Sequence, residues 1–286
     1  MTPFLTPHHT YNTPKNTNPK HINTPFLYTT PTSPHTYMTP FLTPHHTYNT
    51  PKNTNPKHIN TPFLYTTPTS HHIYMTPFLT PHHTYNTPKN TNPKHINTPF
   101  LYTTPTSHHI YMTPFLTPHH TYNTPKNTNP KHINTPFLYT TPTSHHIYMT
   151  PFLTPHHTYN TPKNTNPKHI NTPFLYTTPS SHHTYMTPFL TPHHTYNTPK
   201  NTNPKHINTP FLYTTPTSHH IYMTPFLTPH HTYNTPKNTN PKHINTPFLY
   251  TTPSSHHTYM TPFLYTTPTP HPQHTHDHNH DTKTSR

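Results

Sequence analysis

Residues 38–74 read MTPFLTPHHTYNTPKNTNPKHINTPFLYTTPTSHHIY, and Met75 begins the same string again. Methionine falls at 1, 38, 75, 112, 149, 186, 223 and 260, so the period is 37 residues. Seven copies fill residues 1–259, a truncated eighth covers 260–270, and a unique tail containing His and Asp runs from 271 to 286. Copies differ mainly near their ends, where Ser33-Pro34-His35-Thr36 of the first becomes Ser70-His71-His72-Ile73 in the second. The unit also contains an echo of itself, because Thr2-Pro3-Phe4-Leu5 returns as Thr24-Pro25-Phe26-Leu27. In the last copy Met260–Leu264 runs straight into Tyr265-Thr266-Thr267-Pro268, the product expected of misaligned repeats that recombined.

The prolines decide which regular structures this unit permits. Five follow Thr and one follows Asn in each standard copy, leaving no Pro-free gap longer than the eight residues of Thr69 to Thr76. An interior proline costs a helix about 3 kcal/mol, which rules out the helical repeats that a period near 37 otherwise suggests. Short strands are conceivable in the Thr-, Tyr- and Ile-bearing gaps, but proline lacks the ladder donor and no Gly is present to make turns, leaving Asn for the few left-handed positions.

Composition points the same way. The 286 residues use fourteen amino-acid types; Thr, Pro, His and Asn supply about 65% of them, and Leu, Ile, Phe and Met about 17%. That apolar content is too small to offset an ordering cost of about 1.5 kcal/mol per residue. The formal charge of +14 is only about 0.05 per residue, so poverty of apolar side chains, not self-repulsion, keeps the chain open. The sequence therefore predicts an intrinsically disordered, low-complexity tandem-repeat chain, extended and polyproline-II-like, with no stable globular fold.

The missing residues carry separate information. Ala, Val, Gly, Asp and Glu share no physical property, yet none occurs in residues 1–259. They share codons that begin with G, and Cys, Trp and Arg, which also need a G, are missing from that stretch as well. A G-poor, strand-asymmetric DNA repeat explains this alphabet, and disorder does not, because a disordered chain welcomes Gly, Glu and Ala. The leading functional expectation is thus a non-enzymatic polypeptide that is the unselected translation of repeat DNA. The alternative is a structural or adhesive polymer, extracellular or in a cell wall, associating through Tyr and His.

Chemistry-bearing residues are few. Two Asp, no Glu and no Cys leave little for acid–base or nucleophilic work, and catalysis needs a packed shell to hold its groups in place. In the tail, His274, His276, His278 and His280 alternate, so an extended backbone sets their imidazoles on one side beside Asp277 and Asp281, a pattern suited to weak Zn, Cu or Ni binding. Paired His such as His8-His9 and His71-His72 point apart in extended chain and make poor two-point ligands. Lys15 and Lys20 are too sparse for more than non-specific, salt-sensitive contact with nucleic acid. Self-association is the partner class the aromatic and His content favours. Apolar runs no longer than Phe26-Leu27-Tyr28 predict neither a membrane span nor a signal-peptide core.

In composition the repeats are similar to plant cell-wall extensins and mussel adhesive proteins. They lack the Ser-Pro-Pro-Pro-Pro blocks of the first and the Tyr-Lys decapeptide of the second, so no functional residue is carried over. Tyr28-Thr29-Thr30-Pro31-Thr32-Ser33-Pro34 resembles the RNA polymerase tail heptad and occurs once in that form, because later copies place His where Pro34 stands.

Overall fold

The computed structural model describes residues 2–12, 18, 20–49, 53, 55, 57–86, 92, 94–123, 131–160, 168–197, 205–234 and 242–264. Each repeat is one rung of a parallel β-solenoid. The first rung supplies strands β1 (Phe4–Leu5), β2 (His8–Asn12), β3 (Lys20–Asn23), β4 (Phe26–Thr29) and β5 (His35–Met38). Every later rung repeats the set, and equivalent strands stack into five parallel sheets, eight strands in the β1 sheet and seven in each of the others. Partners always stand 37 residues apart, as in Phe4 with Phe41, Tyr74 with Tyr111 and Asn97 with Asn134. The repeat period and the rung length are one quantity.

This overturns the expectation of a disordered, polyproline-II-like chain, and the prolines show why. From Met38 to Thr47 side chains alternate strictly, with Met38, Pro40, Leu42, Pro44 and His46 inward and Thr39, Phe41, Thr43, His45 and Thr47 outward. The outward residues of each rung donate their N–H groups to inward residues of the rung before. Thr76 bonds the Met38 carbonyl at 3.0 Å, Phe78 the Pro40 carbonyl at 2.8 Å, Thr80 the Leu42 carbonyl at 3.1 Å and His82 the Pro44 carbonyl at 2.9 Å. Proline sits only at inward positions here, so it removes one donor and keeps its carbonyl in the ladder. Its fixed φ is close to that of an extended strand. Each described Thr-Pro thins the ladder and ends a short strand without breaking the stack. Glycine is dispensable as well: Asn53 takes φ 61°, a left-handed position that Asn tolerates.

The apolar shortfall is met by repetition. A rung alone buries little, but its two faces along the solenoid axis are covered by its neighbours, so its inward apolar side chains are buried almost completely. The leucines of the β1 and β4 sheets form one continuous core, including Leu42, Leu64, Leu79 and Leu101, each 0% exposed. Isoleucine and methionine of the β5 sheet, such as Ile110 and Met112, form a second. Identical rings then stack rung on rung: Phe78 and Phe115 lie 4.8 Å apart with planes 2° from parallel, and Tyr102 and Tyr139 4.8 Å apart at 4°. Such cross-strand aromatic pairs contribute roughly 0.5–1.5 kcal/mol each beyond the area they bury. A count of apolar residues omits these contacts, because they exist only when one copy lies in register on another.

Candidate functional site

Inside the solenoid the β2 and β3 sheets meet through polar columns rather than apolar ones. His46, His83, His120 and His157 stack in one column at ring separations of 4.9–5.1 Å. His58, His95 and His132 stack in another at 4.9 Å. Asn60, Asn97, Asn134 and Asn171 run between, each amide N–H₂ donating to the next Asn carbonyl oxygen at 3.1–3.2 Å. The same amides bond the His83, His120, His157 and His194 Nε2 atoms at 2.8–3.2 Å. An amide N–H₂ can only donate, so those Nε2 atoms accept, and the rings are neutral.

Burial holds the rings in that state. Desolvation pushes His46 down to about 4 and His58 to about 3, with the stacked neighbours His9 and His21 adding repulsion in turn. His83, His95, His120 and His157 are driven well below the usual imidazole range by the same desolvation first and by neighbouring imidazoles second. Among the described residues no three His, Cys, Asp or Glu converge as a metal site. The tail histidines His274, His276, His278 and His280, with the Zn, Cu or Ni binding expected of them, lie outside the described residues.

Outside, the side chains form parallel lines of like groups. Tyr74, Tyr111, Tyr148, Tyr185 and Tyr222 stack at 4.9 Å with planes 2° apart, each about 40% exposed. Two residues earlier on the same strands stands a second line, His72, His109, His146, His183 and His220, at 4.9–5.0 Å. Where the β5 sheet bends into the β1 sheet, Tyr, Met and Thr of successive rungs line a groove of about 1140 Å³ that runs from Tyr37 to Thr261. Methionine forms its floor and is nearly fully buried, as at Met112 with 2% exposure.

No known protein family, no curated protein and no solved structure matches this chain. The geometry alone therefore carries the functional reading. Sequence reasoning placed its chemical interest in the tail and missed the inward His columns and the groove. The signal for both was the two-residue alternation of each repeat, which sets His46 in line with Leu42 and Met38, and Tyr74 opposite to Met75. Among the described residues no helix is long and apolar enough to cross a membrane.

Proposed function

We propose that the chain is a non-enzymatic structural rod that lengthens by stacking end to end on further copies of itself. The observation that carries this reading is the contrast between end and interior rungs. Leu5 is 37% exposed and Leu264 51%, whereas the equivalent Leu42 and Leu227 are 0%. Ile22, Phe26 and Phe248 stand open by 70%, 58% and 51%. Both described ends present the same strands in the same order, so the last rung of one copy continues the first rung of another as one interior rung continues the next. Such a head-to-tail contact does not close on itself and gives filaments. Exposed strand edges of this kind template further pairing unless charge, proline or a bulge blunts them.

Electron microscopy and sedimentation of the purified chain at neutral pH test the proposal. In the interior, Thr61 and Phe63 donate backward to the Asn23 and Pro25 carbonyls. The same alternation directs the Ile22 and Tyr28 N–H groups off the first rung. Ile22→Pro with Tyr28→Pro should remove two docking donors, keep the β-sheet circular dichroism and leave single rods. Wild-type chain that stays monomeric at tens of micromolar, or a variant that assembles equally well, would overturn the proposal.

The alphabet of residues 1–259 favours a second reading, the translation of G-poor tandem-repeat DNA with no selected role. Exact repeats stack in register whatever their origin, so the fold and this origin are compatible. Abundant G at third codon positions of the gene would sink it.

A further inference from the structure

We propose that the Tyr–Met–Thr groove is a binding site for a long, flat, anionic polyaromatic molecule lying parallel to the solenoid axis. The shape of the groove sets the shape of the ligand. It is continuous from the first rung to the last, and seven tyrosines at 4.9 Å spacing make it about 29 Å long. No side chain along the way differs from its neighbours, so nothing divides it into compartments for small molecules.

The tyrosine stacking fixes which surface of the ligand is read. Because each ring covers the faces of the next, the groove shows ring edges and phenolic O–H groups rather than π faces. Ring edges carry the positive side of the aromatic quadrupole and pack best against the face of another ring. A planar ligand laid along the groove meets a row of such edges, while the methionine side chains point inward to the core and leave the tyrosine and threonine side chains as its walls. The charge follows from the same surroundings. The described rungs contain no carboxylate, and the only two Asp of the chain stand in the tail at 277 and 281. The His72, His109 and His146 line runs beside the tyrosines, and the net charge is +14. The ring edges and the overall field favour anionic groups. This site does not depend on end-to-end stacking, because a single rod contains it whole.

The test uses the full chain and three rod-shaped probes: Congo red, which is a planar bis-sulfonate, the cation thioflavin T, and an uncharged distyrylbenzene. Congo red should bind most tightly, with its long axis along flow-aligned rods in linear dichroism. Tyr111→Ser with Tyr148→Ser should weaken it by at least tenfold. Tyr102→Ser with Tyr139→Ser, on the β4 sheet away from the groove, should leave it within twofold, and circular dichroism of both variants confirms that the rod persists. Equal loss in the two variants, loss only in the second, tighter binding of the cation, or a dye axis perpendicular to the rod would each overturn the assignment.

Discussion

Acidifying the purified chain from about pH 7.5 to about pH 5 should dissolve the solenoid, and the buried imidazoles set the scale. His46, His58, His83, His95, His120 and His157 all have folded-state values displaced downward, to about 4 for the first and about 3 for the second. In the unfolded chain each titrates near 6.5. Between that value and the depressed folded ones the unfolded state binds more protons, so stability is complete above about pH 6.5 and falls as the pH falls. At pH 5 an imidazole that stays neutral when folded and titrates freely when unfolded has lost about 2 kcal/mol, whatever its folded value, provided that lies well below 5. Six such groups lose on the order of 12 kcal/mol, comparable with the whole stability of an ordinary domain. The assay is far-UV circular dichroism with amide hydrogen exchange across the pH range. The expected result is loss of β signal and of protection between pH 6.5 and 5, recovered on neutralisation. His95→Leu with His132→Leu should move the transition to lower pH. A solenoid whose β signal and slow-exchanging amides persist unchanged to pH 4.5 would refute the placement of these rings in the core.

Two pairs of substitutions test the packing directly. Leu116→Ala, in the middle of the leucine core at 0% exposure, should cost about 2–5 kcal/mol in chemical denaturation, more than the same change at the 37%-exposed Leu5 of the end rung. Thr36 and Thr184 interrupt the isoleucine line of Ile73, Ile110 and Ile147, and the Thr184 hydroxyl pairs with the Ser181 hydroxyl at 2.9 Å while the buried Thr36 oxygen has no hydrogen-bond partner. Thr36→Ile should therefore raise the denaturation midpoint, by about 1–2 kcal/mol of stability, and Thr184→Ile should give less.

The 37-residue period was legible from residues alone, and strand partners 37 residues apart follow it. The fold was not, because the contacts that make it lie between copies. Leu42 looks isolated along the chain, flanked by Phe41 and Thr43, and finds its strand partners one rung away at Leu5 and Leu79. Pro40 reads as a ladder breaker until its inward position and accepting carbonyl are known. His46 reads as a titrating group of ordinary acidity, and only its place in line with Leu42 marks it for burial. Pairing costs judged within one unit overlook a template of the same sequence lying one rung away.

Uniform rungs leave the molecule without a way to count. With a few Thr-for-Ile and Ser-for-Thr exceptions, any repeat mates with any other, so a slip of 37 residues restores nearly every pairing. Excision or duplication of one unit in the gene should yield a sound body shortened or extended by one strand spacing, about 4.8 Å. Folding faces the matching ambiguity, since a strand from a second molecule satisfies an open edge as well as the chain's own next repeat does. Size in such a body is a matter of DNA copy number and of supply, and its architecture imposes no natural stopping point.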